Sequence, residues 1–588
     1  MPPVDPVTRQ IIQSALASAA DEMAVGLHRT ARSTIVRDVL DFSTSICDSR
    51  GQQIAQGVTI PMHMGSVPYA METLLKKYEG NIHPGDIFIL NDPFDGGMHL
   101  PDIFIVQPIF AGEHRIAFAV ATAHHLDVGG RLPGSSACDN VEIFQDGLRI
   151  PWLKLYDRGQ PSEALFTLIR ANVRIPEMTL GDLQAELAAC HVGQQAVLEI
   201  IDRYGNDTFE QCTQDLLDYT ERLVRMDIST WPNGSSTFTD YLDHTGAPDS
   251  LGPVKISCTI TVQGDALTAD FTGSDPQVRS AVNSTLSMTA SCVALCIRSM
   301  IREQIPNTAG MFRPLTIVVP SGTVLNGEMP AASSMRGVTA FRTVDVVLGA
   351  LAGILPERVP AAGDGGNSLV IVGGHRAGTR ERYVYYELMS GTWGARPDRD
   401  GNDGLCNLAN IASNIPIEEA ECNYPVRIDR YGLVRDTGGA GRYRGGMAIQ
   451  REWTLLDGEA DLLIRSDRRD HLPYGLAEGR NGSPSISVLY HADGSEEILP
   501  VMVSTQIKEG ERLYHRQPGA GGHGNPLSRE PEAIAWDAKN DRVSIEAARD
   551  NYGVVVDPET FEVDKQATQT LRESLLSQST KGRSHRST

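Results

Sequence analysis

The sequence predicts an α+β protein with mixed sheets, a long N-terminal helix, a helical arm in the middle of the chain and a β-rich C-terminal part. Apolar residues recur at helical spacing from Ile11 to Leu27, which predicts the long first helix. Residues 163–226 have a helical pattern that is punctuated by Pro176. From Arg427 onward the pattern is β-like and rich in glycine, so strands are expected there.

The first helix has a recognisable start. Asp5 followed by Pro6 is a good N-cap and first-turn pair, and the apolar spacing carries the helix to about Arg32.

Composition and periodicity divide the chain into five predicted regions. In order, these are a metal-site α+β region (1–160), a helical arm (161–230), an α/β middle region (231–425), a β-rich C-terminal region (426–565) and a polar, disordered tail (566–588).

The composition excludes several classes of partner. A formal net charge of −22 over 588 residues disfavours nucleic acid and anionic membrane surfaces, because both require clustered Lys and Arg. The N-terminus has no basic-then-apolar pattern, so no signal peptide is expected, and the apolar runs are too short to span a membrane. Nine scattered cysteines without a CxxC pair indicate free thiols, and a cytoplasmic protein is expected.

The stretch from Asn91 to Gly130 carries the most chemistry. His99 and Asp102 lie three residues apart across a proline, and His124 follows 22 residues later, about the length of a hairpin. Three nitrogen or oxygen ligands from two loops would leave one or two coordination positions of the metal open for water or substrate, as a catalytic divalent site requires. Imidazole with carboxylate suits zinc, manganese or iron. An acid–base site and ordinary buried or surface histidines are the alternatives, and the spacing favours the metal.

Three further residues are candidate proton carriers. His125 and Asp127 follow His124 directly, and Glu142 lies on a short apolar segment. Glu142 is expected either to face the surface of an alternating strand or to be paired inside the site, because an unpaired buried carboxylate is costly.

Four other polar residues are given plainer interpretations. His63 is expected to be packed or on the surface, and lining the site is the alternative. Arg174 is expected to cap a helix end, and contact with a bound anion is the alternative. Arg336 and Arg342 flank a helix start and are expected on the surface, with binding of an anionic group as the alternative.

Segments spread over nearly the whole chain resemble the hydantoinase B/oxoprolinase family. In the central stretch they are NDPFDGGMHLPD, AHHLDVGG and PGSSACDNVEIFQDGLRIP. Elsewhere they are DPVTRQIIQSALASAADEMAVGL, RDVLDFSTSICDSRG, NVRIPEMTLGDLQAELAA, GARPDRDGNDG, NIPIEEAECNYPVRI, GAGRYRGGMAIQREW and GAGGHGNPLSREPEAI. The coverage makes the resemblance specific.

The resemblance implies one subunit of a two-component, ATP-dependent enzyme. Asp41 in the Asp-Phe-Ser segment matches a further metal ligand of the family, which would join His99, Asp102 and His124 around zinc or manganese. ATP would be bound by a hydantoinase A-type partner, in a hetero-oligomer such as a heterotetramer. The chain itself contains no Gly-Lys dipeptide and therefore no P-loop.

Hydrolytic opening of a cyclic amide (a lactam, hydantoin or oxoproline) is the reaction that the resemblance favours. A ketone carboxylase of the acetone or acetophenone type is the alternative enzyme, since it needs the same Lewis acid. A scaffold subunit with a structural metal is the alternative outside enzymology, and ligation with open positions argues against it.

Overall fold

The computed structural model describes residues 5–247, 252–366, 368–389, 391–406 and 408–584. Within these residues the chain forms helices and four β-sheets that include one parallel strand pair, so the predicted α+β class with mixed sheets is confirmed. The helices of the described residues are α1 (Pro6–Thr30), α2 (Thr34–Arg37), α3 (Ser66–Lys77), α4 (Glu163–Asn172), α5 (Pro176–Tyr204), α6 (Asn206–Ile228), α7 (Leu286–Met300), α8 (Arg336–Ala352), α9 (Ile417–Asn423), α10 (Pro531–Lys539), α11 (Ile545–Tyr552) and α12 (Lys565–Ser584).

Two sheets are built from residues 42–318. Sheet 1 has the strand order β2-β1-β5-β4-β3-β6-β7 and sheet 2 the order β11-β10-β9-β8. Their strands are β1 (Phe42–Asp48), β2 (Gln53–Gln56), β3 (Ile87–Leu90), β4 (Asp102–Ala111), β5 (His114–His124), β6 (Leu153–Asp157), β7 (Gln160–Pro161), β8 (Gly234–Leu242), β9 (Val254–Gln263), β10 (Ala266–Asp270) and β11 (Leu315–Val318).

The other two sheets come from the second half. Sheet 3 has the order β13-β12-β16-β19 and sheet 4 the order β14-β15-β20-β17-β18. Their strands are β12 (Leu369–His375), β13 (Arg382–Leu388), β14 (Val426–Val434), β15 (Ala448–Leu455), β16 (Glu459–Arg465), β17 (Ile486–Tyr490), β18 (Glu496–Ile498), β19 (Met502–Lys508) and β20 (Arg512–Arg516).

Helix α1 begins where the sequence predicts. The Asp5 side chain accepts a hydrogen bond from the backbone N–H of Thr8 at 3.0 Å. The helix packs along α5, which in turn covers β4 and β5. Gly193 permits this close approach, because a Cβ at that position would lie 2.4 Å from Sδ of Met23. The predicted helical arm is therefore helical, as α4 to α6, and its longest helix covers sheet 1.

Two hydrophobic cores join the predicted regions. One extends from α1, sheet 1 and α5 to sheets 3 and 4, and the other joins the opposite side of sheet 1 to α3, α7, α8 and sheet 2. The division into five regions stays a prediction.

Among the described residues, no helix has the length and the apolar character needed to cross a bilayer.

The predicted disordered tail is wrong for most of its length. Residues 565–584 form α12, and its first turns are fastened to the body of the protein. The Thr568 hydroxyl accepts a hydrogen bond from the Val555 backbone, and Arg572 donates to the Tyr552 carbonyl. The polar composition concealed these few anchoring contacts. Residues 585–588 of the predicted tail lie outside the described residues.

Candidate metal centre

Two strands of sheet 1 bring the predicted ligands together. Asp102 is the first residue of β4 and His124 the last of β5, and the antiparallel register places them directly opposite each other. His99 lies in the turn before β4, where its carbonyl accepts a hydrogen bond from the Asp102 backbone. One ligand atom from each of the three residues lies within 4.8 Å of the others. We call His99, Asp102 and His124 the His–Asp cluster.

The His–Asp cluster is buried and polar, and its own atoms are poorly satisfied. The side chains are 5% exposed or less. Both ring nitrogens of His99, Nδ1 of His124 and Oδ1 of Asp102 form no hydrogen bond of ordinary geometry among the described residues, although Nε2 of His99 lies 3.3 Å from Oδ1 of Asp102. Burying unpaired polar atoms is costly, so a site that leaves four of them together fits a bound cation. Imidazole nitrogen and carboxylate oxygen are the donors that zinc and manganese accept.

The electrostatics of the cluster suit metal binding. Burial lowers the pKa of His99 to about 4 and the pKa of His124 well below its usual value, so both rings are neutral near pH 7. Burial opposes ionisation of Asp102, but His99 and the guanidinium of Arg336 hold the pKa of that carboxyl well below its usual range. Neutral imidazole and ionised carboxylate are the forms that coordinate a metal.

Asp41 lies beside the cluster. It directly precedes β1, and its carbonyl accepts a hydrogen bond from the His124 backbone at 3.0 Å. Its carboxylate lines the same cavity, with Oδ1 4.0 Å from Nε2 of His63. Burial, together with the charge of Asp102, raises the pKa of Asp41 to about 7. Asp41 therefore lies where the ligand role implied by the family resemblance would require it, although it is not part of the His–Asp cluster.

His63, expected to be packed or surface-exposed, also lines this cavity. Its Nδ1 lies 2.8 Å from the Ser43 hydroxyl, and burial lowers its pKa to about 4. Tyr386 of β13 completes this side, with its hydroxyl 3.5 Å from Nε2 of His124. Sequence reasoning did not find Tyr386, because the residue lies more than 250 positions away from its histidine partner.

The surface positions predicted for two arginines are wrong. Arg336 is 6% exposed and forms an ion pair with Asp102, while Arg342 is fully buried and lies 2.6 Å from Asp467. Both belong to α8, whose residues from Arg336 to Leu351 are all buried. Most residues of α8 are apolar, and a predominantly apolar helix is normally internal, so this composition could have indicated that both arginines are inside. Arg465, the last residue of β16, reaches the same cavity as Arg336 and was missed entirely.

His125 points away from the His–Asp cluster. Its Nε2 lies 3.0 Å from the Glu186 carboxylate on α5, and both side chains are fully buried. Consecutive residues of an extended chain face opposite sides, so His124 and His125 cannot both reach one cavity. The proton-carrier role predicted for His125 has no support in this geometry.

The other two predicted proton carriers are also engaged elsewhere. Asp127 is buried and accepts hydrogen bonds from the Arg174 side chain and backbone at 3.0 and 2.9 Å. Arg174 thus fastens a loop, where a helix cap was expected. Glu142, which is half-buried, caps the short 3₁₀ turn Ile143–Gln145 with its side chain. Both carboxylates hold loops in place.

Comparison with known proteins places this geometry in context. The family model described as Hydantoinase B/oxoprolinase matches residues 5–526. Caprolactamase subunit beta of Pseudomonas jessenii is 32% identical over 581 residues, covering 97% of this chain and 99% of that protein.

Two solved structures share the fold. The crystal structure of the ATP-dependent caprolactamase from Pseudomonas jessenii aligns with a TM-score of 0.90 at 31% identity, over 97% of this chain and 100% of that chain. The nucleotide-free structure of acetone carboxylase gives the same TM-score at 18% identity, over 98% of this chain and 83% of that chain. At 18% identity, the likeness to acetone carboxylase shows a shared fold and nothing more.

Proposed function

This chain belongs to the hydantoinase B/oxoprolinase family, and on that basis we propose that it is the metal-containing subunit of a two-component, ATP-dependent enzyme that opens a cyclic amide. The observation that carries the proposal is the buried His–Asp cluster with its four unsatisfied polar atoms. The likeness to a caprolactamase subunit supports a lactam as the substrate, and the family description supports a hydantoin or oxoproline. The caprolactamase relative is named as a subunit, which supports the proposal that this chain also works with a partner chain.

His99, Asp102 and His124 would hold a zinc or manganese ion, with Asp41 as a further ligand. The ion would supply a Lewis acid for the amide oxygen and lower the pKa of a water molecule. Arg336 would keep Asp102 ionised and oriented, and the Ser43 hydroxyl would fix the ring of His63. The buried walls would exclude bulk water, which strengthens every electrostatic interaction inside the site.

ATP would be used by a hydantoinase A-type partner in a hetero-oligomer such as a heterotetramer. An unstrained amide is a poor electrophile, and phosphorylation of its oxygen creates a good leaving group. The sequence has no P-loop, which is consistent with a nucleotide on another chain. A ketone carboxylase is the second candidate on grounds of fold, but 32% identity to a caprolactamase subunit favours the amide over 18% identity to an acetone carboxylase.

Elemental analysis of the purified chain tests the metal. We expect about one divalent ion per chain in the wild type, and loss of the ion in His99→Ala/His124→Ala. His114→Ala is the matched control, because His114 lies at the exposed end of the same strand β5 and should leave the metal content unchanged. A folded wild-type chain without metal would overturn the proposal.

Reconstitution with the ATP-binding partner tests the reaction. We expect ATP-dependent ring opening of at least one lactam, hydantoin or oxoproline by the wild type, and none by the double variant. ATP-dependent carboxylation of a ketone, with no turnover of any cyclic amide, would favour the second candidate instead. Full amide turnover by the metal-free double variant would restore the scaffold interpretation.

A further inference from the structure

We propose that two copies of this chain pair through the outer edge of β14, in antiparallel register about a two-fold axis at Gly432. Sheet 4 of one copy would then continue into sheet 4 of the other. The inference goes beyond the proposed function, and it needs neither the metal nor the ATP-binding partner.

Strand β14 is the end strand of sheet 4, and part of its outer edge is open. Within the described residues, no strand pairs with that edge. Near the start of β14 the edge is covered, because the Ile428 backbone N–H donates a hydrogen bond to the Glu421 carboxylate at 2.8 Å. We call the remaining stretch, residues 430–434, the open edge. Such an edge presents backbone donors and acceptors that readily pair with another chain.

The strand register identifies the backbone groups at the open edge. Ile449 on β15 accepts a hydrogen bond from Gln517, on the side of β20, so its backbone does not bond to β14. Leu433 lies opposite Ile449. Backbone groups alternate between the two sides of a strand, so Leu433 and Tyr431 direct their N–H and C=O groups outward. The open edge therefore offers two donors and two acceptors to another strand.

Large apolar side chains surround the open edge. Tyr431 and Leu433 point to the same face of β14 and are 43% and 44% exposed. Tyr431 also lines a groove of about 580 Å³, whose walls include Leu405 and Ile411 at 56% and 41% exposed. Neighbouring exposed apolar residues of this size mark an interaction surface.

The glycine at the centre of the open edge has no explanation within a single chain. Glycine weakens the interior of a strand. A Cβ at Gly432 would meet nothing within 4 Å, and its φ lies outside the left-handed region, so neither space nor backbone conformation requires glycine. Close approach of another backbone is a remaining reason for glycine in a strand. Two Gly432 residues on a two-fold axis would form a non-hydrogen-bonded pair, in which the Cα atoms are only about 4.5 Å apart.

The sequence on the two sides of Gly432 is complementary to itself, which identifies the other strand as a second copy. Tyr431 would lie opposite Leu433 of the second copy and exchange both backbone hydrogen bonds with it, and the axis would repeat this pair. Arg430 would lie opposite Val434, so the register brings no like charges face to face. A two-fold interface requires this self-complementarity, whereas a strand from a different protein does not.

Sedimentation equilibrium of the purified chain alone tests the inference. We expect a monomer–dimer equilibrium for the wild type, and a dimer dissociation constant at least tenfold higher for Gly432→Lys, because two like charges would then meet at the axis. The far-UV circular dichroism of this variant should match that of the wild type, since the position has room for a side chain. Ile498→Lys is the matched control, because it adds the same charge at an exposed position of β18, the strand at the opposite end of sheet 4. A wild type that stays monomeric, or a Gly432→Lys chain that dimerises as tightly as the wild type, overturns the inference.

Cross-linking tests the register independently of any loss of binding. We expect Gly432→Cys to form a disulfide-linked dimer under mild oxidation, because opposed residues at the axis have the Cα spacing that a disulfide requires. The variant is made in a Cys422→Ser background, since Cys422 is an exposed native thiol. Ile498→Cys in the same background should stay uncross-linked. Dimers of Gly432→Cys that resist cross-linking would overturn the pairing at β14. A chain that is monomeric alone, and whose Gly432→Lys variant no longer binds the ATP-binding partner, would overturn the second copy in favour of a segment of that partner.

Discussion

Arg336, the first residue of α8, forms a buried ion pair with Asp102, the first residue of β4. The contact joins two elements that are 234 positions apart, and it does so at the edge of the His–Asp cluster. One carboxylate oxygen of Asp102 faces the arginine, and the other lies 3.3 Å from Nε2 of His99. The pair therefore orients the carboxylate and leaves one oxygen for a cation.

Replacing Arg336 with leucine should destabilise the metal-free protein by about 3–5 kcal/mol, because it leaves the Asp102 charge buried and unpaired. Added zinc should raise the melting temperature of Arg336→Leu more than that of the wild type, since the ion would replace the lost positive charge. Arg435→Leu is the control, because its partner Asp541 is solvent-exposed and such pairs contribute about 1 kcal/mol or less. Equal losses in the two variants would contradict a structural role for the buried pair.

Asp41→Asn should weaken metal binding by about 10–100-fold without abolishing it, as is typical when a peripheral partner of a metal site is lost. The reason is its position, since the Asp41 carboxylate lines the cavity but stands outside the His–Asp cluster. Competition with a chromophoric zinc chelator measures the affinity. Asp38→Asn, three residues earlier and paired with Arg37, should not change it. Wild-type affinity in Asp41→Asn would remove this residue from the ligand set.

His125→Asn should lower the melting temperature while leaving the metal content at the wild-type level. Its ring is held by Glu186 on α5, and truncating one member of a fully buried pair leaves the other unsatisfied. Burial raises the pKa of Glu186 to about 7, and Glu186→Gln, which keeps a hydrogen-bonding group, should cost less stability. A His125→Asn protein with unchanged stability and no turnover with its partner would restore the proton-carrier role.

Local spacing was sufficient to predict the His–Asp cluster. His99 and Asp102 share one turn, and a hairpin of regular strands returns His124 to them, so three residues are related by short-range geometry alone. Successive side chains of a strand point to opposite faces, so His125, which follows His124 directly, is predicted to face the opposite side. That consequence was available in the sequence and was missed because the two adjacent histidines were treated as one group.

The rest of the cavity wall could not be derived from local spacing. Arg465 and Tyr386 come from strands of sheet 3, which packs against sheet 1 through long-range contacts that no periodicity encodes. Arg336 was partly within reach, because most residues of α8 are apolar and a predominantly apolar helix is normally internal. The fold class could be predicted from periodicity. The cavity wall could not, because it is formed by the packing of sheets whose strands are distant in sequence.

Acid should destabilise the protein through histidine side chains that are buried in the neutral form. His515 on β20 is fully buried, its Nδ1 lies 3.0 Å from the Ser487 hydroxyl, and burial lowers its pKa to about 3. In the unfolded chain the pKa is about 6.5. Between these values the unfolded state binds a proton that the folded state does not, so stability is lost as the pH falls from about 6.5 toward 3.

The expected loss from His515 alone is about 2 kcal/mol between pH 6.5 and 5, at about 1.4 kcal/mol for each pH unit. His63 and His99, whose pKa values burial lowers to about 4, should add to it in the metal-free protein. Calorimetric melting temperatures of wild type and His515→Asn at pH 7.5 and 5.0 measure the effect, and the variant should lose less on acidification. His114→Asn, at the exposed end of β5, should lose as much as the wild type. Equal acid sensitivity in wild type and His515→Asn would mean that the buried ring titrates near its ordinary pKa.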